Sequence, residues 1–145
     1  MRKINLQTGF SLVELMIVIG IIGIIASVAM PAYQDYLAKG KITEATSGLS
    51  DLRVKLEQYY QDNRSYDGYV DGSCNLISNG SPAINADNFT YACVSDADSY
   101  TITATGVATK GMTGYSYDIN ERNQRNSTVP GGSGACWITK KDGSC

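Results

Sequence analysis

Residues 10–30 read FSLVELMIVIGIIGIIASVAM, an apolar run broken by one carboxylate, Glu14, and preceded by the short basic leader MRKINLQTG. Wound as an α-helix, the run is about 32 Å long at 1.5 Å per residue, close to the hydrocarbon thickness of a bilayer. Leu, Ile and Val fill it, so a free single copy belongs in a membrane. An ionised Glu there costs about 2.5–3.5 kcal/mol at mid-bilayer and less near the headgroups. A charge placed so badly needs a partner.

Arg2 and Lys3 stand ahead of the run, so positive-inside logic keeps residues 1–9 cytoplasmic and sends the rest outward. Two ordinary readings compete with a specialised one. A secretory signal peptide would be cleaved after the small-x-small triplet Ser27-Val28-Ala29. Against it, Glu14 falls inside the run, and the run is longer than such segments need. A plain single-pass anchor leaves Glu14 unexplained.

The chain has 145 residues, room for one domain plus the apolar segment. Twelve Lys and Arg stand against 14 Asp and Glu, a formal charge of −2, so no global basic field points to nucleic acid. Histidine is absent, which removes the commonest general base and the commonest metal ligand. Ten tyrosines and abundant Gly, Ser, Thr and Asn fit an extracellular β-rich surface. The four cysteines, Cys74, Cys93, Cys136 and Cys145, all follow the apolar run, and an even count in a small exported domain favours disulfides. Three pairings are open. Neighbour pairing, Cys74 with Cys93 and Cys136 with Cys145, closes loops of moderate size, each worth about 3 kcal/mol in the chain-entropy model. A head of about 80 residues with a thin core needs such staples. A zinc site is the rival, but there is no C-x-x-C and no His, and no cofactor is expected.

Pro31 ends the apolar run without ending the helix; it removes one backbone donor, and a kink is expected. Gly20 and Gly23 weaken the same region by about 1 kcal/mol each. Beyond Pro31, Ile42, Ala45, Leu49, Leu52, Leu56 and Tyr59 recur at steps of three and four and share one face. Residues 31–62 are therefore an amphipathic half-helix that a folded head must cover, and Gln61-Asp62-Asn63-Arg64-Ser65 is a polar stop. The head, residues 63–145, opens with an irregular connection over 63–88, marked by turns at Asp67-Gly68, Asp71-Gly72 and Asn79-Gly80. Period-two alternation then predicts antiparallel strands over 89–94, 100–105 and 115–119. A short fourth strand is expected over 135–139, after the Pro130-Gly131-Gly132 turn. The fold class is α+β: one long N-terminal helix on a small antiparallel sheet.

Catalytic chemistry is missing. There is no nucleophile and base pair, no phosphate loop and no carboxylate dyad, so an enzyme is not expected. Asp67 with Asp71, and Asp96 with Asp98, lack the spacing of a calcium loop and read as turn residues. Arg122, Arg125, Lys140 and Lys141 form a candidate basic patch for DNA, with a solvated charged loop as the plainer reading. The N-x-S/T triplets at Asn63, Asn79, Asn88 and Asn126 carry no weight in such loops. Tyr33, Tyr36, Tyr59 and Tyr60 read as aromatic packing rather than an electron path.

The segment Gly9-Phe10-Ser11-Leu12-Val13-Glu14-Leu15 resembles the processing motif of type IV pilins. The tail from Cys136-Trp137-Ile138 to Cys145 resembles the C-terminal disulfide loop of type IVa pilins. With Tyr115-Ser-Tyr-Asp-Ile-Asn and Asp51-Leu-Arg-Val-Lys-Leu-Glu-Gln-Tyr-Tyr, nearly the whole chain looks most like PilE-type minor pilins. The resemblance implies the pilin fold and cleavage by a prepilin peptidase between Gly9 and Phe10, with N-methylation of Phe10. It also implies pairing of Glu14 with a neighbouring subunit's N-terminal ammonium. In family filaments the helix melts locally between a glycine and the proline, here Gly23 and Pro31. It implies an inner-membrane precursor with its head outside the cytoplasm, and afterwards an extracellular pilus serving assembly, twitching motility or adhesion. The implied partners are other pilin subunits, the peptidase, an inner-membrane assembly platform and an outer-membrane secretin. The alternatives are a DNA-uptake receptor pilin, a type II secretion pseudopilin, against which the C-terminal loop argues, and a membrane-anchored enzyme.

Overall fold

The computed structural model describes residues 9–67, 77–78, 81–82, 86–140 and 143–145. Residues 1–8, Cys74, Lys141 and the turns centred on Gly68, Gly72 and Gly80 lie outside them. The chain divides into two units, residues 1–36 and 37–145. One helix, α1 (Leu12–Asn63), supplies residues to both and stays helical through Pro31.

In the first unit α1 is apolar all round between Glu14 and Gln34, and none of its large side chains is buried. In the second, the expected stripe is inward. Ile42, Ala45, Leu49, Leu52 and Leu56 are buried, and Gly48 joins them while Tyr59 is half-buried. The helix ends at Asn63 because Arg64 takes a left-handed backbone (φ 58°), with its N–H on the Tyr60 carbonyl at 2.7 Å.

Among the described residues of the connection after α1, β1 (Ile77–Ser78) pairs antiparallel with β2 (Ser81–Pro82). Five strands then form an antiparallel meander: β3 (Phe89–Ser95), β4 (Tyr100–Gly106), β5 (Ser116–Asn120), β6 (Arg125–Val129) and β7 (Gly132–Gly134). The first three match expectation. The fourth does not: residues 135–139 are a loop, and strand structure lies instead at β6 and β7, joined by the two-residue turn Pro130-Gly131. Gly131 supplies the positive φ of 116° that this turn requires.

One cross-strand row explains how the sheet closes on α1. Tyr91, Ala104, Tyr117, Ser127 and Gly134 lie side by side on β3 to β7. Ala104 leaves room between two tyrosines. At Gly48 the helix approaches so closely that an added Cβ would collide with the Tyr91 ring. The Tyr91 hydroxyl instead donates to the Glu44 carbonyl at 3.1 Å. The Glu44 carboxylate accepts from the Asn88 backbone N–H (3.0 Å) and side-chain amide (2.5 Å), fixing the entry to β3.

A second carboxylate, Glu57, accepts from two tyrosines, Tyr66 at 3.2 Å and Tyr100 at 3.0 Å. Burial, then Glu44, pushes the Tyr91 pKa up to about 12; burial, then Glu57, does the same at Tyr66, to about 12. The fold thus favours neutral phenols. Their contribution is complete below the unfolded value of about 10 and is lost as pH rises through about 12. Circular dichroism across a pH series should show the onset of unfolding above about pH 10. Tyr91→Phe should lessen that alkaline sensitivity.

Candidate functional site

The processing segment sits at the start of α1. Gly9 and Phe10 precede the helix, and the Phe10 side chain is exposed. Ser11 is the cap: its Oγ accepts the Glu14 N–H at 3.2 Å and its carbonyl the Leu15 N–H at 3.2 Å. Ser11-Leu-Val-Glu14 is thus an S-x-x-E capping sequence, a signal legible in the chain and easily masked by the apolar run. Glu14 is exposed in the first helical turn, where a carboxylate also faces the positive end of the helix dipole. From Leu12 to Met30 the large apolar side chains stand outward without partners. Among the described residues, α1 is the one helix long and apolar enough to cross a membrane.

In the second unit, the C-terminal segment is stitched to the sheet through one buried hydroxyl. Ser127 Oγ donates to the Cys136 carbonyl at 2.6 Å and accepts the Ile138 N–H at 3.0 Å. Tyr117 Oη donates to the Ile138 carbonyl at 3.0 Å, and Trp137 Nε1 to the Asp118 carbonyl at 2.9 Å. Ile138 is buried beside Gly134, where an added Cβ would stand 3.3 Å from Ile138 Cδ1, a slightly tight contact. A disulfide joins Cys136 and Cys145, with Cα atoms 6.1 Å apart. Cys93 is buried and disulfide-bonded. Ser127→Ala would leave the buried Ile138 N–H and the half-buried Cys136 carbonyl without this partner, at a cost of about 1–3 kcal/mol. Urea unfolding should show that loss, with Ser127→Thr far milder.

Arg125 lies over Trp137, its guanidinium carbon 4.5 Å from the ring centroid, and two open grooves meet at it. One, of about 440 Å³, runs between Thr46, Ser47 and Ser50 of α1 and the disulfide loop. The other, of about 470 Å³, is lined by Asn123, Gln124 and Asn126. Two other cations of the expected patch are arranged otherwise: Arg122 is exposed and paired with Glu121 at 3.2 Å, Lys140 is exposed, and neither lines these two grooves. Lys141 lies outside the described residues. No metal-binding cluster occurs among the described residues. Sequence reasoning missed Ser127 and the Arg125–Trp137 stack, because both depend on a strand with almost no apolar signature.

Comparison with known proteins bears on both regions. A family model described as type IV minor pilin ComP, DNA uptake sequence receptor, matches residues 31–121. A model of the prokaryotic N-terminal methylation motif matches residues 4–30. A fimbrial protein of Moraxella nonliquefaciens is 47% identical over 62 residues, 43% of this chain and 40% of that protein. The type IV major fimbrial protein FimA of Dichelobacter nodosus is 40% identical over 75 residues, 52% of this chain and 47% of that protein. The chain thus spans less than half the length of these curated relatives. The crystal structure of the Neisseria meningitidis non-core minor pilin PilV resembles the chain with a TM-score of 0.55. That likeness covers 70% of this chain and 96% of PilV at 13% identity, and it shows the fold alone. With a methylation motif on the apolar run and a minor-pilin model over most of the remainder, the chain belongs to the type IV pilin family.

Proposed function

We propose that this chain is a structural subunit, a minor pilin, of a type IV pilus. It is made as a single-pass inner-membrane precursor, with residues 1–9 in the cytoplasm and the head outside. Prepilin peptidase cuts between Gly9 and Phe10, the new amine of Phe10 is methylated, and residues 10–30 enter the core of an extracellular filament. The work is polymerisation, not catalysis. The observation that carries this reading is an all-round apolar, unburied helix whose carboxylate, Glu14, follows a Gly-Phe junction within the methylation-motif match.

Inside a helix bundle, a lone carboxylate is tolerable when an ammonium neutralises it, and the requirement fixes subunit register. The Phe10 amine of an adjacent subunit fits that role. Residues 31–62 carry the head, and Pro31 with Gly23 bounds the segment that loosens on assembly. The Cys74 with Cys93 bridge and the C-terminal loop keep the head folded outside the cell. An assembly platform, a secretin and other pilins complete the set of partners, and motility or adhesion follows from the filament. Mass spectrometry of the N-terminus, on protein recovered from envelopes or sheared filaments, tests the reading. N-methylphenylalanine at position 10 is expected; a terminus at Met30 would mean signal-peptide cleavage, and an intact Met1 a plain anchor.

DNA binding is a second reading, favoured by the description of the family model over residues 31–121. Its cations, Arg122, Arg125, Lys140 and Lys141, all lie beyond that span. Phosphate contacts impose steep salt dependence, so duplex DNA should be retarded at low salt and released as salt rises. Loss of the shift in an Arg122→Gln, Arg125→Gln double variant supports the reading; no shift even at low salt removes it.

A further inference from the structure

Two carboxylates, Glu14 and Asp35, bracket the apolar part of α1, and no Asp, Glu, Lys or Arg lies between them. The interval is roughly 20 residues, or about 30 Å of helix, which equals the hydrocarbon thickness of a bilayer. The helix is continuous across it, so the spacing is a rise along one element rather than slack chain. Its side chains are exposed on all sides, as a lipid-facing surface requires. Ser27, a hydroxyl inside the interval, donates to the Ile24 carbonyl at 2.7 Å, so it carries no unsatisfied donor into hydrocarbon.

The two ends differ in kind. At one, Tyr33 and Tyr36 stand about a turn apart on the same side, 63% and 73% exposed. An apolar ring with a polar tip is the side chain that settles where lipid meets water. At the other, the Ser11 cap and Glu14 gather the polar groups of the helix start. A segment of this length cannot place Tyr33 at one headgroup layer and hold Glu14 deep in the bilayer.

We infer that Tyr33 and Tyr36 and the Ser11–Glu14 turn hold the chain at one depth in the bilayer, with Glu14 hydrated at the inner headgroup boundary. The inference rests on the membrane-spanning reading and adds to it where the charge lies. Before assembly the carboxylate then needs no protein partner, and the mid-bilayer penalty does not apply. The need arises when the helix leaves lipid for a bundle of other helices, so the demand for an ammonium is confined to the moment of incorporation.

Depth-dependent quenching tests this on the full chain. In a Trp137→Phe background, Leu12→Trp, Ile22→Trp and Tyr33→Trp are reconstituted singly in phosphatidylethanolamine–phosphatidylglycerol vesicles. The vesicles carry lipid brominated either near the headgroup or near the end of the acyl chain. Ile22→Trp should be quenched at least about twofold more by the deep bromine, and Leu12→Trp and Tyr33→Trp more by the shallow one. Deep quenching of Leu12→Trp would put Glu14 in hydrocarbon and overturn the inference while leaving the membrane reading intact. Weak, equal quenching of all three would instead overturn the membrane reading.

Discussion

Glu14→Ala is expected to yield a precursor that inserts, is cleaved and folds its head normally, yet is scarce in filaments. The carboxylate is exposed, and its first-turn contact is a backbone N–H bond to Ser11 that alanine retains. Alanine is also a good helix former, so the segment should become a slightly better membrane helix. On the proposed pairing, what the variant lacks is the counter-charge for an incoming ammonium. Leaving one member of a buried pair alone is strongly destabilising, so incorporation should fall by roughly tenfold or more. Immunoblots of sheared filaments against whole envelopes check this directly. Glu14→Asp should recover part of the incorporation; normal incorporation of Glu14→Ala would remove the pairing role.

The second large effect separates two glycines. An added Cβ at Gly106 would collide with the backbone carbonyl of Met112, whereas at Gly48 it would meet the far end of the Tyr91 side chain. A side chain can swing away, giving up its bond to the Glu44 carbonyl; a backbone cannot move without dragging its segment. The Met112 segment is itself pinned, since the Met112 N–H reaches the Val107 carbonyl at 3.2 Å and the Val107 N–H the Asn88 carbonyl at 2.9 Å. Gly106→Ala should therefore cost about 3 kcal/mol or more, and Gly48→Ala about 1–2 kcal/mol. Paired urea titrations give both values. In the Tyr91→Phe background Gly48→Ala should become milder while Gly106→Ala does not. Equal losses would show that the helix, not Tyr91, resists the added methyl.

The sequence is most readable where burial selects apolar residues at a fixed period. The helix stripe Ile42, Ala45, Leu49, Leu52 and Leu56 and the inward set Tyr100, Ile102, Ala104 and Tyr117, Ile119 follow that rule. Strand β6, Arg125-Asn-Ser-Thr-Val129, does not. Its one buried position is Ser127, which spends its hydroxyl on the C-terminal loop; Val129 is half-buried against the core, and the exposed Arg125 covers Trp137. A strand whose inner face is satisfied by hydrogen bonds looks like a polar loop when read alone. Conversely 135–139 looks like a strand because Trp137 and Ile138 are apolar, although they serve to plug the loop onto its neighbours. The charged start of α1 was legible as chemistry, since one carboxylate in an apolar run is conspicuous. Its cap was less so, because Ser11 reads equally well as a small residue of a processing motif. The groove at Arg125 was legible only as charge; nothing local says which cation will stack on an indole.

The hydroxyl of Ser127 grips main-chain atoms at positions 136 and 138, not the side chains that follow them. Such a grip is blind to the spelling of the residues beyond. Substitution along the outer rim of the tail can therefore proceed at little expense to the fold, so long as both sulfurs persist. In a filament subunit of the kind proposed, that would be a mount for surface variety carried by an unchanging frame.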